Sequence, residues 1–420
     1  MSAIGWIDFS SEHRDKVKTV IDLLAASNVL DELGIGVALS SFSDRMFPGI
    51  STIQTRAKYF VLTALILQNF QESERRKRNP RGFGRYMEEE EKRCRIELVK
   101  THGEGRQNLG IIGGKFGLRN DRDVVRKPSS IYWSGLKAFG IVFPRTLSLA
   151  EFGRSISDER RQINSLLEDR GDEKGDDLDA EDSDGRIRIK VPEISDNYWE
   201  KLSIALTRPE AEFLREQIIA YQPGSLIGQI LSRDNAFKQV VRLTANTRFG
   251  DFAELPFMAE LKDEELRRTV QHARDFWRIM EGAHIRYNCL LQAKGFGTRE
   301  LREEFEGMWE DWREAIADFP AQWDSQFLWT LVSRHGSRVK EHTRKFIDGW
   351  IELSRLGAPD GKLCDHLVTR QEQLNKGSRA RLRPGNSEAI NEWVGLRGAG
   401  YRAAQAIQIV RDIRDGEKSE

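Results

Sequence analysis

Ser51-Thr52-Ile53-Gln54-Thr55-Arg56-Ala57-Lys58-Tyr59-Phe60-Val61-Leu62-Thr63-Ala64-Leu65-Ile66-Leu67-Gln68-Asn69-Phe70 is the stretch that decides the fold class. Its centre, Tyr59 to Leu67, is the longest apolar run in the chain. That run is too short for a bilayer, which needs about 20 apolar residues. Pro48-Gly49 turns the chain before it, and Ser51 or Thr52 supplies a side-chain oxygen to open a helix reaching about Phe70. A helix apolar on every face is a buried one, so the stretch predicts the centre of a helical domain. Arg56 and Lys58, on its first turns, read as surface charges.

The same pattern extends outward. Ser10 or Ser11 begins a helix carrying Val17, Ile21, Leu23 and Leu24. After Gly34 and Gly36 a shorter one carries Val37, Leu39, Phe42 and Met46. Beyond the middle of the chain, Thr207-Arg208-Pro209-Glu210 has the form of a capping box ahead of Phe213, Leu214, Ile218 and Ile219. Leu266–Leu291 and Thr298–Ile316 predict long helices. Trp309, Trp312, Trp323, Trp329 and Trp350 at helical spacings read as core or domain-interface residues. Arg186–Val191 alternates charge with Ile and Val and is the one strand-like segment.

The expected fold is mainly α: a multi-domain helical protein with a winged-helix-like element in its N-terminal half. That element is residues 105–143. Gly110, Gly113, Gly114 and Gly117 form a loop with Lys115, Arg119, Arg122, Arg126 and Lys127. Pro128-Ser129-Ser130 opens a helix over Ile131–Phe139, Gly140 stops it, and Ile141-Val142-Phe143 resume as an apolar strand or a packed tail. Tyr132 and Trp133 read as residues that hold the fold rather than touch a ligand. The alternative is an ordinary packed helix beside a solvated loop.

Charge is informative only locally, because 420 residues carry 66 Lys plus Arg and 66 Asp plus Glu. From Gln71 to Lys137 the chain has 17 basic and 10 acidic side chains, including Arg76, Lys77, Arg78, Arg81 and Arg85, interleaved with Phe83 and Tyr86. Cations with aromatics between them suit a nucleic-acid strand, and a solvated helix with i,i+4 ion pairs is the competing reading. From Arg370 to Arg414 there are 9 basic and 4 acidic residues. Within it Lys376, Arg379, Arg381 and Arg383 lie on a segment read as a flexible loop, followed by helices over Glu388–Val394 and Tyr401–Ile413. Between these poles, residues 158–184 hold 12 acidic and 4 basic side chains with almost nothing apolar after Leu167, and this predicts a disordered linker. The domain reading is therefore 1–157, an acidic linker 158–185, a Trp-rich helical domain 186–369 and a basic segment 370–420.

Enzyme signatures fail at specific positions. A Walker loop is broken by Leu109 and Phe116 around Gly114-Lys115. None of the seven histidines has zinc-protease spacing, and His335 and His342, seven apart, have no third ligand. Asp251, Glu260 and Lys262 are spaced as in a metal nuclease, but no strand pair carries them. The three cysteines, Cys94, Cys289 and Cys364, form no CxxC pair. No catalytic residue, metal ligand or cofactor is expected, and the N-terminus does not read as a signal peptide. The expectation is a cytoplasmic protein away from membranes.

Ile4-Gly5-Trp6-Ile7-Asp8-Phe9-Ser10, Phe47-Pro48-Gly49-Ile50-Ser51-Thr52-Ile53-Gln54-Thr55-Arg56-Ala57-Lys58-Tyr59-Phe60, Pro128-Ser129-Ser130-Ile131-Tyr132-Trp133 with Gly135-Leu136, and Lys376–Leu382 with Tyr401-Arg402 together resemble an uncharacterised bacterial protein family. The resemblance runs through essentially the whole chain. It implies a non-catalytic partner in a DNA-directed assembly, in anti-phage defence neighbourhoods beside helicases and phospholipase D-like nucleases. The two basic segments with their glycines and aromatics point to an accessory subunit that binds DNA or RNA. A helical scaffold recruiting the helicase or nuclease without touching nucleic acid is the alternative, and a divergent metal nuclease is a third.

Overall fold

The computed structural model describes residues 31–75, 82–103, 109–121, 124–156, 186–294, 297–317, 323–334, 338–355, 361–385, 390 and 392–419. The fold is mainly α, and the sheet among the described residues has two strands. Two compact units emerge, both discontinuous in sequence: 47–247 with 402–419, and 31–46 with 248–401. The helix predicted at Ser10–Leu24 and the acidic segment 158–185 lie outside the described residues.

In the first unit, α2 (Lys58–Arg75) is the central helix. It packs against α3 (Phe83–His102), α4 (Pro128–Ala138) and α5 (Arg208–Tyr221). Phe60, Val61, Leu62, Ala64, Leu65, Ile66 and Leu67 are all buried, as expected of a helix apolar on every face.

The helix begins at Lys58 instead of Ser51 or Thr52 because tertiary partners hold the preceding backbone. Thr55 N and Arg56 N donate to the Tyr132 hydroxyl at 2.8 and 3.1 Å. Ala57 N donates to Asp412 Oδ2 at 2.8 Å, so a carboxylate on α14 (Ala403–Glu417) caps α2 from 355 residues away. The α14 helix itself packs on α5.

Helix, glycine stop and strand occur in the predicted order after residue 127. Gly140 takes φ +61°, and β1 (Val142–Phe143) follows. Its partner is β2 (Arg188–Ile189), antiparallel, with Val142 opposite Ile189 and Phe143 opposite Arg188. The two strands are therefore not the consecutive hairpin of a wing. The α4 helix is largely buried, and Tyr132 and Trp133 lie in the core. The Tyr132 hydroxyl also donates to Arg56 O at 2.9 Å, and Trp133 Nε1 donates to Leu147 O at 3.1 Å.

In the second unit, α9 (Glu264–Ala293) is surrounded by α1 (Gly36–Met46), α10 (Arg299–Ala317), α12 (Glu341–Arg355) and α13 (Gly361–Lys376). Asp263 caps α9, accepting from Leu266 N at 2.9 Å. The tryptophans are core residues, and two of them anchor helix to helix through the indole: Trp312 Nε1 donates to Arg278 O at 2.8 Å and Trp350 Nε1 to Ile279 O at 2.9 Å. A Cβ on Gly282 would stand 2.2 Å from the Trp312 ring, so glycine at that turn is what lets α10 lie against α9. The segment Glu388–Val394 is not helical at its described positions, 390 and 392–394.

Candidate functional site

The glycine-rich stretch after α3 is a fixed loop on the first unit. Its start is tied to the turn before α2. Thr55 Oγ1 donates to Gly110 O at 2.7 Å, Arg56 Nη1 to Leu109 O at 2.9 Å, and Ile112 N to the Tyr59 hydroxyl at 2.8 Å. Its far side is tied to α3, where the buried Arg95 donates from Nη1 to Gly117 O at 2.5 Å and from Nη2 to Arg119 O. Gly113, at φ +74°, passes so close to the core that a Cβ would meet Val124 Cγ1 at 2.4 Å. That combination of φ and contact admits only glycine. With the backbone held from inside, Lys115 and Arg119 are exposed, as are Leu118 and Val125.

Beneath the loop lies a cavity of about 30 Å³, lined by Thr63 and Tyr59 of α2, Glu91 and Cys94 of α3, and Ile112 and Val124 of the loop region. A water molecule needs roughly 10–15 Å³ by this measure. Glu91 is buried, its Oε1 accepting from Ser129 N at 2.5 Å to cap the start of α4, while Oε2 and the Thr63 hydroxyl have no protein partner. Burial pushes the Glu91 carboxyl up to about 7, against the lowering effect of the Ser129 bonds. Burial likewise pushes the Cys94 thiol up to about 12, so it is not a thiolate nucleophile.

Lys58, read as a surface charge, is buried. Its Nζ stands 2.7 and 2.8 Å from the two Glu210 carboxylate oxygens and 4.9 Å from the Tyr198 ring centroid. Burial lowers the Lys58 pKa, and Glu210 opposes that shift. Glu210 also accepts from the Tyr198 hydroxyl and from Thr207 N, each at 2.7 Å. The capping box was legible in the sequence, whereas its second role as counter-ion to a residue 152 positions earlier was not. The only local signal was a lysine opening a run of apolar residues. Arg56 is partly buried too, with Nε 3.0 Å from both Asp412 oxygens.

The expected nucleic-acid residues divide as follows. Arg76, Lys77, Arg78, Arg81 and Arg122 lie outside the described residues. Arg85 pairs with Glu89 at 2.9 Å, Lys127 with Glu88 at 3.1 Å, and Arg126 is half-buried. Lys115 and Arg119 share the pinned loop. Lys376, Arg379, Arg381 and Arg383 belong to the second unit, on a segment that is also pinned. Glu372 accepts from Arg381 N at 2.5 Å and Leu382 N at 3.1 Å, and Lys294 Nζ donates to the carbonyls of Arg381 and Arg383 at 3.0 and 2.9 Å. Lys376 pairs with Glu32 at 3.3 Å, while Arg379 and Arg383 are exposed.

Among the described residues no group of three or more His, Cys, Asp or Glu is placed to hold a metal ion, and no helix is long and apolar enough to cross a membrane. No curated protein and no solved structure matches the chain. A family model described as "Family of unknown function (DUF6361)" matches residues 1–407.

Proposed function

From the premise that the chain belongs to DUF6361, a family whose description assigns no function, we propose that it is a non-catalytic nucleic-acid-binding subunit whose first unit engages a phosphate backbone. The observation that carries this reading is the Leu109–Arg119 loop. A buried guanidinium and three side chains of the α2 region hold its backbone, and its two cations point outward. Pre-organised cations bind phosphate without the entropic cost of ordering a loop at the moment of contact. The second unit carries exposed cations of its own, Arg379 and Arg383, on a separately pinned segment. A place in an anti-phage assembly with a helicase and a phospholipase D-like nuclease is the setting proposed for this activity.

Fluorescence anisotropy with labelled single- and double-stranded DNA and RNA tests the reading. Binding at 50 mM salt is expected to weaken by about 10³-fold at 200 mM if roughly six phosphates are engaged. Absence of binding to every probe at 50 mM would sink it. One observation favours the adaptor alternative: Leu118 and Val125 are 45% and 101% exposed beside the same cations, a mixed surface that also suits a protein partner. In that case the protein co-purifies with the helicase or nuclease after nuclease treatment and binds none of the probes.

A further inference from the structure

A second feature of the first unit lies away from the glycine loop. Asn69 and Glu72 lie on one face of α2, three residues apart, and Tyr86, Glu90 and Arg93 lie on one face of α3 at spacings of four and three. Ser73 and Trp199 complete the lining of a cleft of about 330 Å³. That volume falls at the lower end of small-molecule sites, roughly 300–1,000 Å³.

The cleft is built on rigid supports. Its Tyr86 packs on Phe70 with ring centroids 5.1 Å apart, and Phe70 packs on Phe83 at 5.2 Å. Trp199 follows Tyr198, which touches it edge to face at 5.2 Å and is itself anchored by its hydroxyl on Glu210. The buried Lys58–Glu210 pair therefore positions the half-buried indole. The lining chemistry is mixed in a specific way: an indole for stacking, carboxylates at Glu72 and Glu90, an amide at Asn69, and the exposed Arg93, 3.8 Å from Glu90.

Carboxylates repel a phosphate, so the cleft does not suit the backbone itself. They accept from amines, and the bases that carry an exocyclic amine are cytosine, adenine and guanine. We propose that the cleft between α2, α3 and Trp199 receives one unstacked amine-bearing nucleobase of a single strand. Trp199 stacks on it, Glu72 and Glu90 accept from its amine, and Arg93 meets the adjoining phosphate. This inference rests on the nucleic-acid reading above and assigns it a strand type and a base class. Base stacking of this kind contributes on the order of 1–3 kcal/mol, about 5- to 150-fold in affinity.

Anisotropy with labelled oligodeoxycytidine, oligothymidine and an abasic strand of the same length tests it on the full chain. Oligodeoxycytidine is expected to bind tightest and the abasic strand weakest. Trp199→Ala is expected to cost about 5-fold or more on oligodeoxycytidine and nothing on the abasic strand. Glu72→Gln, on an exposed position that a folding defect does not complicate, is expected to narrow the preference for cytosine over thymine. Equal affinity for all three strands, unchanged by either variant, would overturn the base cleft and leave the backbone reading standing. Failure of every strand to bind would overturn both.

Discussion

Lys58 Nζ lies 2.7 Å from Glu210 Oε1, and the two side chains are 1% and 0% exposed. This buried pair joins the first residue of α2 to the first turn of α5, and through Tyr198 it reaches the cleft that holds Trp199. Removing one member leaves an uncompensated charge in the core, a loss of roughly 3–5 kcal/mol. Lys58→Met is therefore expected to lower the denaturant midpoint sharply. The double variant Lys58→Met/Glu210→Gln should recover much of the loss, since a neutral amide keeps the bond to Thr207 N. An unchanged midpoint in the single variant would show that the pair does not hold the two helices.

Glu91 sets a pH dependence. Its carboxyl lies at about 7 in the folded chain against an ordinary value of 4.5, so the folded state binds this proton more tightly than the unfolded state. The resulting stabilisation is complete below about pH 4.5 and is lost as pH rises through 7. Glu91→Gln keeps an acceptor for Ser129 N without the ionisation. Its unfolding free energy should match the parent near pH 4.5 and exceed it at pH 8 by up to about 3 kcal/mol. Parallel pH profiles for the two proteins would rule this out.

Arg95 is the internal tie of the glycine loop. Arg95→Met removes both bonds to the carbonyls of Gly117 and Arg119. Hydrogen exchange at residues 112–119 is expected to accelerate by more than in the α4 helix, because local opening of the loop then needs fewer broken bonds. Uniform acceleration across the unit would mean that Arg95 supports the whole core and not the loop.

Lys115→Glu combined with Arg119→Glu reverses the two exposed charges without touching a buried group. The proposed nucleic-acid binding is expected to weaken, and the dependence of log affinity on log salt to flatten by about 0.9 per lost phosphate contact. Thermal unfolding should be unaffected. An unaltered salt slope would move the phosphate contact off this loop.

Gly282→Ala places a methyl group into the Trp312 ring. Overpacking of this kind costs typically 1–3 kcal/mol, more than the gain in helix propensity returns. Calorimetry should show a lowered Tm for the full chain, and an equal or higher Tm would mean that the α9–α10 contact relaxes freely.

Much of the helical fold is a local property, and that part was legible in the residues. The apolar run at Tyr59–Leu67, the Thr207–Glu210 capping box, the long helices at 264–293 and 299–317, and the Gly140 stop before Val142-Phe143 all follow from periodicity, capping chemistry and glycine's access to positive φ. So does the burial of Trp309, Trp312 and Trp350, because amphipathic spacing puts each on the apolar face of its own helix. What tertiary structure decided was the fate of the charges. Nothing local distinguishes Lys58 and Arg56 from surface cations; Glu210 and Asp412, 152 and 356 residues away, draw the first into the core and the second partly out of solvent. The same holds for the glycine loop, whose composition reads only as a basic loop and whose geometry is fixed by Arg95, Thr55 and Tyr59. The physical reason is that a charge enters a core only when a partner from elsewhere in the chain satisfies it, and such partners are set by packing, to which local sequence pattern is blind.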